Sequence, residues 1–474
     1  MVHKVRLDEC IEVARPLADV FAYISEFSRI DEWDPAVKRG TRETEGPVDV
    51  GTRFKIDMKA GFSIHYVVRE FEQLKRLSMH ACSRFFTAEE EIRFEATENG
   101  TRIRYIADFS FGALLGAFLQ RRPKVMTRLG KATMRGMKRA LEQDFPAPTT
   151  RRGTQLADKL LVPGLLRFSK LGYNAARSHW NPLSASLRDK RVLITGATTG
   201  IGFAAAEELA RMGARLILVG RDSERTRAAS QRLMRLTRNP NIDVELADMS
   251  LMADVHQLCD RLLGRREQID VLINNAGALF NPRQITPEGL EQSFALLLLG
   301  PFILGERLHP LLRAAPEGRI VNVSSGGMYS QRLRVQDLQN EQAPYSGSKA
   351  YAHAKRGLVI VGEEWAKRWI GDGIVVNTMH PGWADTPGVQ QALPEFRSIT
   401  RRILRSSAEG ADTIVWLAAA PEAGQSTGLF WLDREPHTTH LMNSTRESAS
   451  DRQTLITILK DHMENSRQVC NNAA

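Results

Sequence analysis

From Val5 to Val13 apolar and polar residues alternate, as in a strand with one buried face; Pro16 then opens a segment with Leu17, Val20, Phe21, Ile24 and Phe27 at helical spacing. Period-two runs follow at Phe54, Ile56 and Met58, at Phe62, Ile64, Tyr66 and Val68, and at Leu77, Met79 and Ala81. Short polar breaks separate these runs, so they predict an antiparallel meander. Ile92, Phe94 and Ala96 lead through Asn99-Gly100, a type I′ hairpin signal, into Ile103, Tyr105, Ala107 and Phe109. A basic helical stretch from Lys124 to Gln143 closes the region.

Beyond it the pattern changes. Pro146 to Gln155 has the Pro, Thr and Arg content of an exposed linker, and Leu156 to Trp180 reads as one or two short amphipathic helices broken at Pro163. This basic, Leu-rich piece has two readings, contact with a membrane surface or, the favoured one, a helix packed on the domain that follows. Short apolar strands then alternate with helical patterns: Arg191 to Ile194, Leu216 to Val219, a strand ending at Ala247-Asp248-Met249, and Val271 to Ile273. Such alternation predicts a parallel sheet with helices on both faces. After Arg434, a helical stretch from Arg446 to Glu464 is expected to cap a substrate pocket or to mediate homo-oligomer contacts. The domains expected are residues 1–145, a linker at 146–188, residues 189–435 and a helical tail at 436–474.

Length supports two domains, because 474 residues exceed what one core ordinarily organises. Hydrophobic residues at 42% and charged residues at 25% exclude a disordered chain or a membrane bundle. The net charge of +10 admits nucleic acid, an anionic membrane surface or a phosphorylated cofactor, but its arginines are scattered through every segment, which speaks against nucleic acid. Cys10, Cys82, Cys259 and Cys470 are far apart, so neither a zinc site nor a disulfide framework is expected and a reducing compartment is. With no signal-peptide pattern at the N-terminus, and Phe294 to Gly305 too short an apolar run to span a bilayer, a cytoplasmic protein is expected.

The N-terminal order of strand, helix, meander and long helix resembles the START-like, polyketide-cyclase superfamily over about residues 3–145, including its aromatic entry, here Ile30-Asp31-Glu32-Trp33-Asp34-Pro35. The resemblance implies an α+β helix-grip fold, in which an apolar cavity holds a lipid, polyketide or aromatic ligand. A fold retained only for packing or partner contact is the alternative. No acid–base pair can be named: Asp31, Asp34, His65 and His80 are candidates by residue type alone.

In the second domain, the strand ending at Ile194 runs into Thr195-Gly196-Ala197-Thr198-Thr199-Gly200-Ile201-Gly202 and then a helix. Glycines there let backbone approach a pyrophosphate, whose charge suits the free N–H groups at the helix start. Arg221 stands where an NAD-preferring protein carries an acidic residue for the ribose, and its planar cation suits a 2′-phosphate, so NADP is expected over NAD despite the adjacent Asp222. Together with Asn274-Asn275-Ala276-Gly277, VNVSS at 321–325, a Y-x-x-x-K and HPG at 380–382, these motifs resemble the short-chain dehydrogenase/reductase (SDR) family over about residues 189–435. The run GYNAARSHWNPL, YAHAKR and MHPGWADTPGV are most similar to its member 12 group. The resemblance implies a Rossmann doubly wound α/β fold. It implies a cofactor held by Thr195, Gly196, Gly200, Ile201, Gly202, Arg221, Asp248 and Met249, by Asn274, Ala276 and Gly277, and by a loop of Pro381, Gly382, Trp383 and Thr386. Asp248 is the expected adenine contact.

Two Y-x-x-x-K matches overlap, Tyr345 with Lys349 and Tyr351 with Lys355. In the family's retinol-dehydrogenase-like branch the lysine lies about 26 residues before the later proline, and 381 − 355 = 26 selects the second pair. At i and i+4 both side chains leave one helix face. A tyrosine titrates near pH 10, and a nearby ammonium favours its phenolate. The expectation is therefore that Lys355 draws Tyr351 down and holds the nicotinamide ribose, that Ser325 holds the substrate oxygen, and that Tyr351 is the general acid or base. Family members carry an asparagine about 23 residues beyond the first Asn of NNAG, which helps hold a relay water; here 274 + 23 = 297 is Leu. An apolar side chain cannot bind that water. The sequence thus favours an NADP-dependent carbonyl reductase or alcohol dehydrogenase for a hydrophobic substrate. The alternatives are a non-catalytic NADP- and lipid-binding scaffold and a bifunctional cyclase-reductase.

Overall fold

The structure is a computed structural model that describes residues 3–97, 100–112, 124–142, 167–180, 183, 185–342, 344–386, 390, 397–398 and 400–473. The chain folds as two compact units, Met1–Pro146 with Asn181–Ser186, and Ala147–Trp180 with Leu187–Ala474.

In the first unit β1 (His3–Val13) and α1 (Leu17–Ser25) precede β2 (Val37–Arg42), β3 (Arg53–Met58), β4 (Ser63–Glu72), β5 (Arg76–Cys82), β6 (Phe86–Thr97), β7 (Gly100–Phe111) and α2 (Lys124–Glu142). The sheet order is β1-β7-β6-β5-β4-β3-β2, antiparallel throughout. Phe54, Ile56, Ile64, Tyr66, Leu77, Met79, Ile92 and Ile103 alternate inward and share a core with Met134, Met137 and Leu141 of α2. This is the expected helix-grip arrangement. Strand β2 has no period-two signature because its register slips between Val37 and Arg39 and only Val37 and Gly40 are buried. Gly40 is fixed by contact: a Cβ there would lie 2.6 Å from the Ser28 carbonyl oxygen. Gly100 pairs with Thr97 as the first residue of β7, and residues 98 and 99, on which the Asn99-Gly100 turn signal bears, lie outside the described residues.

The second unit holds α3 (Lys170–Arg177), β8 (Arg191–Thr195), α4 (Gly200–Arg211), β9 (Arg215–Gly220), α5 (Ser223–Thr237), β10 (Ile242–Leu246), α6 (Met252–Arg265) and β11 (Val271–Asn274). Then follow α7 (Gln292–Arg313), β12 (Arg319–Val323), α8 (Gly347–Trp369), β13 (Val375–Met379), α9 (Ser407–Ala419), β14 (Phe430–Leu432), β15 (Glu435–His437) and α10 (Ala449–Ala473). Sheet order is β10-β9-β8-β11-β12-β13-β14-β15, parallel except for the final pair. Chain order reverses between β8 and β11, and the crevice beyond the carboxyl ends of those strands is where a doubly wound sheet binds its ligand.

Helix α7 corrects one expectation. The apolar run at 294–305 is the middle of a 22-residue helix, long and apolar enough by length and composition to cross a membrane. Its apolar window is 72% buried in the Rossmann core, where Phe294, Leu297, Leu298, Phe302 and Leu308 pack. Residues 147–166 of the linker and its helices lie outside the described residues, except that α3 and its flanks pack on this unit through Lys170 N to the Ile403 carbonyl and Trp180 Nε1 to the Asp433 carbonyl. The tail helix runs longer than expected, and its Leu455 and Leu459 are fully buried in the same core.

Candidate active site

The glycine turn forms because three close approaches exclude side chains. Gly196 has φ +67°, and a Cβ on it would sit 2.7 Å from the Ala276 Cα; Gly200 has φ +60°; a Cβ on Gly202 would meet the Asn275 amide and the Gly196 carbonyl at 2.4 Å. Thr195 locks this turn to the NNAG loop, its hydroxyl accepting from the backbone N–H of Asn275 and of Ala276, both at 3.0 Å. Asn275 answers with its side-chain amide to the carbonyls of Thr195 and Gly196 at 2.9 and 3.0 Å. Thr199 caps α4 without a side-chain bond, so the first N–H groups of that helix stay available to an anion. A bare backbone cradle at a helix start fits the pyrophosphate of a dinucleotide.

Other expected contacts fall around this crevice with differing roles. Arg221 is exposed at the end of β9 and lies 3.7 Å from the Asp248 carboxylate. Asp222 is engaged elsewhere, capping α5 by accepting from the Arg225 N–H. The Asp248 carboxylate also accepts from the N–H and hydroxyl of Ser250 at 2.9 and 2.7 Å, which holds its loop. Met249 and Asn274 are buried, the latter bonding Asn322 at 2.8 Å, so only their backbone faces could serve a cofactor. Ile201 packs toward Gly410 of α9.

Tyr351 and Lys355 lie on α8, and Ser325 follows β12. The half-buried Tyr351 phenol lies close enough to the Ser325 hydroxyl for that group to act on its titration, and Lys355 Nζ lies 5.9 Å from the phenol ring centroid. Lys355 is 2% exposed and donates to the Val323 carbonyl at 2.6 Å. A Cβ on Gly277 would lie 3.7 Å from Nζ, so the NNAG loop closes over the amine. The electrostatic expectation needs correction. Burial pushes Tyr351 above its ordinary value against the opposing pull of Ser325, while burial alone pulls Lys355 down to about 7. In the protein alone, desolvation governs both groups, because charge on either in this dry corner is penalised.

Tyr345 is held elsewhere, donating to Glu291 at 3.0 Å and to the Phe280 carbonyl at 3.2 Å, away from Ser325. Leu297 is fully buried in a π-type turn at Ala295–Leu299, and its Cδ2 would lie 3.2 Å from a Cβ on Gly277. Leucine therefore walls the side of the lysine where a polar relay would stand.

The loop of Pro381, Gly382 and Trp383 depends on residues the sequence did not mark. Gly382 has φ +74°; its N–H donates to His380 Nδ1 at 3.1 Å, and Trp383 N donates to the Phe168 carbonyl at 2.7 Å. Phe168 stands edge-on to His380 and Trp383, and a Cβ on Gly326, next to Ser325, would touch its ring. Arg405, 2% exposed, ties the carbonyls of Arg167, Ser169 and Pro381 to the Asp433 carboxylate at 2.6 and 2.9 Å. Partners more than two hundred residues apart leave no local pattern, so the loop of Pro381, Gly382, Trp383 and Thr386 was legible but its anchoring by Phe168 and Arg405 was not.

Comparison with known proteins places this geometry among relatives. Residues 190–395 match the short chain dehydrogenase family model, and residues 4–142 match the model described as polyketide cyclase / dehydrase and lipid transport. Dehydrogenase/reductase SDR family member 12 of Homo sapiens is 39% identical over 301 residues, which is 63% of this chain and 94% of that protein. Human retinol dehydrogenase 14 is 33% identical over 52% of this chain and 79% of its own length. Among solved structures, L-sorbose reductase from Gluconobacter frateurii, complexed with NADPH and L-sorbose, aligns at 22% identity with a TM-score of 0.45 over 54% of this chain and 99% of that one.

Proposed function

The chain belongs to the short-chain dehydrogenase/reductase family, and on that premise we propose that it is an NADP-dependent oxidoreductase interconverting a carbonyl and a secondary alcohol on a hydrophobic molecule. The observation that carries this reading is Tyr351 beside Ser325 with Lys355 one helical turn on, its amine against the NNAG loop that follows β11. NADP, when bound, supplies or accepts the hydride. The turn at 195–202 would hold its pyrophosphate, Arg221 its 2′-phosphate, and Pro381, Gly382, Trp383 and Thr386 its nicotinamide end. Asp222 is committed to its cap, which leaves Arg221 to set the preference for the phosphorylated cofactor.

The chain's own groups manage the proton. Ser325 donates to the substrate oxygen and keeps it beside the Tyr351 phenol. In reduction Tyr351 gives its proton to that oxygen; in oxidation it takes one back. Lys355 positions the ribose and, when charged, stabilises the phenolate. The N-terminal unit, a polyketide cyclase / dehydrase and lipid transport domain by its match, holds a hydrophobic ligand of the same kind. Four unpaired cysteines suit a reducing, cytoplasmic setting.

The test is NADPH absorbance with a panel of apolar aldehydes and ketones. Oxidation of NADPH by at least one, lost in Tyr351→Phe with cofactor affinity kept, is expected. Tight NADPH binding without oxidation by any substrate overturns the reading in favour of a scaffold.

A further inference from the structure

The interior of the N-terminal unit holds an acid that packing does not need. Glu90 faces inward from β6 at 2% exposure, in the series Ala88, Glu90, Ile92 and Phe94 that otherwise builds core. Its Oε1 accepts from the Tyr66 phenol at 3.1 Å and its Oε2 from the Tyr105 phenol at 2.6 Å, both rings buried. No lysine or arginine is paired with it among the described residues. Burial raises its carboxyl to about 7, against the opposing pull of the two phenols. The other ionisable group acting on it is Asp34, itself raised by burial, bonded by Thr133 of α2 and the Ala36 N–H, and drawn by Lys59. A buried carboxyl without a cation is destabilising relative to an apolar residue of the same shape, and such groups cluster at sites of chemistry.

A second observation points to an oxygen-bearing ligand. Trp33 is 1% exposed, and its indole N–H has no partner among the described residues. Its ring packs edge-on to Phe27, which lies 5.3 Å from Tyr66, and the adjacent Asp34 acts on Glu90, Tyr66 and Tyr105. An unmatched donor linked through Phe27 and Tyr66 to a buried acid suits a carbonyl oxygen and the hydrogens on the carbon next to it.

We propose that Glu90 is an acid–base residue that moves a proton at the carbon adjacent to a carbonyl of an apolar ligand bound inside the helix-grip domain. The Glu90 carboxylate takes that hydrogen as a proton, the C–H pair becomes the C=C bond, and the carbonyl π pair moves to oxygen, which the Trp33 N–H stabilises. Return of the proton from Glu90 regenerates the ketone, so keto–enol exchange balances with no co-reactant. Tyr66 and Tyr105 are positioning residues that act through Glu90. The proposal rests on the N-terminal unit taking a hydrophobic carbonyl compound, and not on the reductase chemistry.

The full-length protein, without nicotinamide cofactor, is incubated in D2O with the apolar ketone 2-tetralone, and the C–H signals beside the carbonyl are followed by NMR. Exchange above the buffer rate is expected, rising with pH through about 7. Glu90→Gln, its fold checked by circular dichroism, loses about a hundredfold. Tyr105→Phe removes a bond that lowers the Glu90 carboxyl, so the midpoint of the rate profile moves to higher pH. Buffer-rate exchange in the wild type, wild-type exchange in Glu90→Gln, or an unmoved midpoint in Tyr105→Phe overturns the proposal. If Glu90→Gln does not fold, Tyr105→Phe carries the test. NADPH oxidation failing while exchange persists overturns only the reductase reading.

Discussion

Lys355 is the residue whose environment departs most from what its motif implied. At 2% exposure its amine is pulled down from 10.5 to about 7, so between those values the unfolded chain binds more protons than the folded one. Wild-type stability must therefore rise as pH climbs through that window, with the full burial penalty present below about 7. Lys355→Met is expected to be more stable than wild type by about 2 kcal/mol at pH 6, the gap closing towards pH 10, as read by urea unfolding. A gap that is the same at both pH values would show that the amine is not desolvated. Arg221 offers a cofactor test, because its cation is exposed and adjoined by one carboxylate at 3.7 Å. Arg221→Ala is expected to raise the KM for NADPH about tenfold, the loss of one charge-assisted contact, and to leave the KM for NADH within about twofold. Equal losses for both cofactors would remove Arg221 from the discrimination. Spacing and the helical pattern after Tyr351 separated Tyr351 and Lys355 from Tyr345 and Lys349 in the sequence; in the fold Tyr345 is spent on Glu291 and Phe280. Glu90 was missed although the period-two series through Ile92 and Phe94 runs back through it; an acid in an inward slot was the available signal.

At the scale of elements, the π-type turn in α7 and the clamp on α8 decide what surrounds the amine. Leu297 projects from that turn toward Gly277, beside which Lys355 Nζ lies. A side-chain amide there could hold water against the amine, so Leu297→Asn is expected to raise turnover several-fold and reduce the solvent isotope effect on the proton step. Unchanged turnover would sink the relay account. Helix α8 is fastened from the tail: Arg356, fully buried, meets Glu447 at 3.0 Å, and Glu447 also bonds Arg452 at 3.0 Å and faces His440 at 3.6 Å. Burial pushes the Glu447 carboxyl up, but the neighbouring His440 and the Arg356 charge outweigh it and hold it at about 2. Stability from this group is thus present above its unfolded value of about 4.5 and lost as pH falls towards 2. Glu447→Gln is expected to cost about 3 kcal/mol at pH 7 and little near pH 2, by urea unfolding at each pH. Elements with strict periodicity, such as β3 to β7 and α8, were legible, because one face of each meets one core. Strand β2 was not, since its bulge breaks the alternation, and the tail's clamp joins residues about ninety apart that carry no common pattern.

The whole molecule is a join of two cores that share no residue, one between the curved sheet and α2, the other in the doubly wound sheet. That division was readable from the change in hydrophobic period near residue 150, where half-buried alternation gives way to wholly apolar strands. Packing of segment 167–180 on the second unit was expected, but its tie to the loop at 381–383 was not readable: Phe168 and Arg405 stitch it there through contacts that only the folded chain creates. Ligand linkage makes the division measurable. A cofactor that binds only the folded form of one unit stabilises that unit by RT ln(1 + [L]/Kd), about 2.7 kcal/mol at a hundredfold excess over Kd. The expected residues for NADPH, from Thr195 to Thr386, all lie in the second unit, as do Trp365 and Trp369 in its core. Calorimetry of the full chain is therefore expected to resolve two transitions, with NADPH raising only the one that Trp fluorescence assigns to the second unit. If both rise together, the cores unfold as one; if neither does, the crevice between β8 and β11 does not take the nucleotide, and the enzymatic reading falls with it.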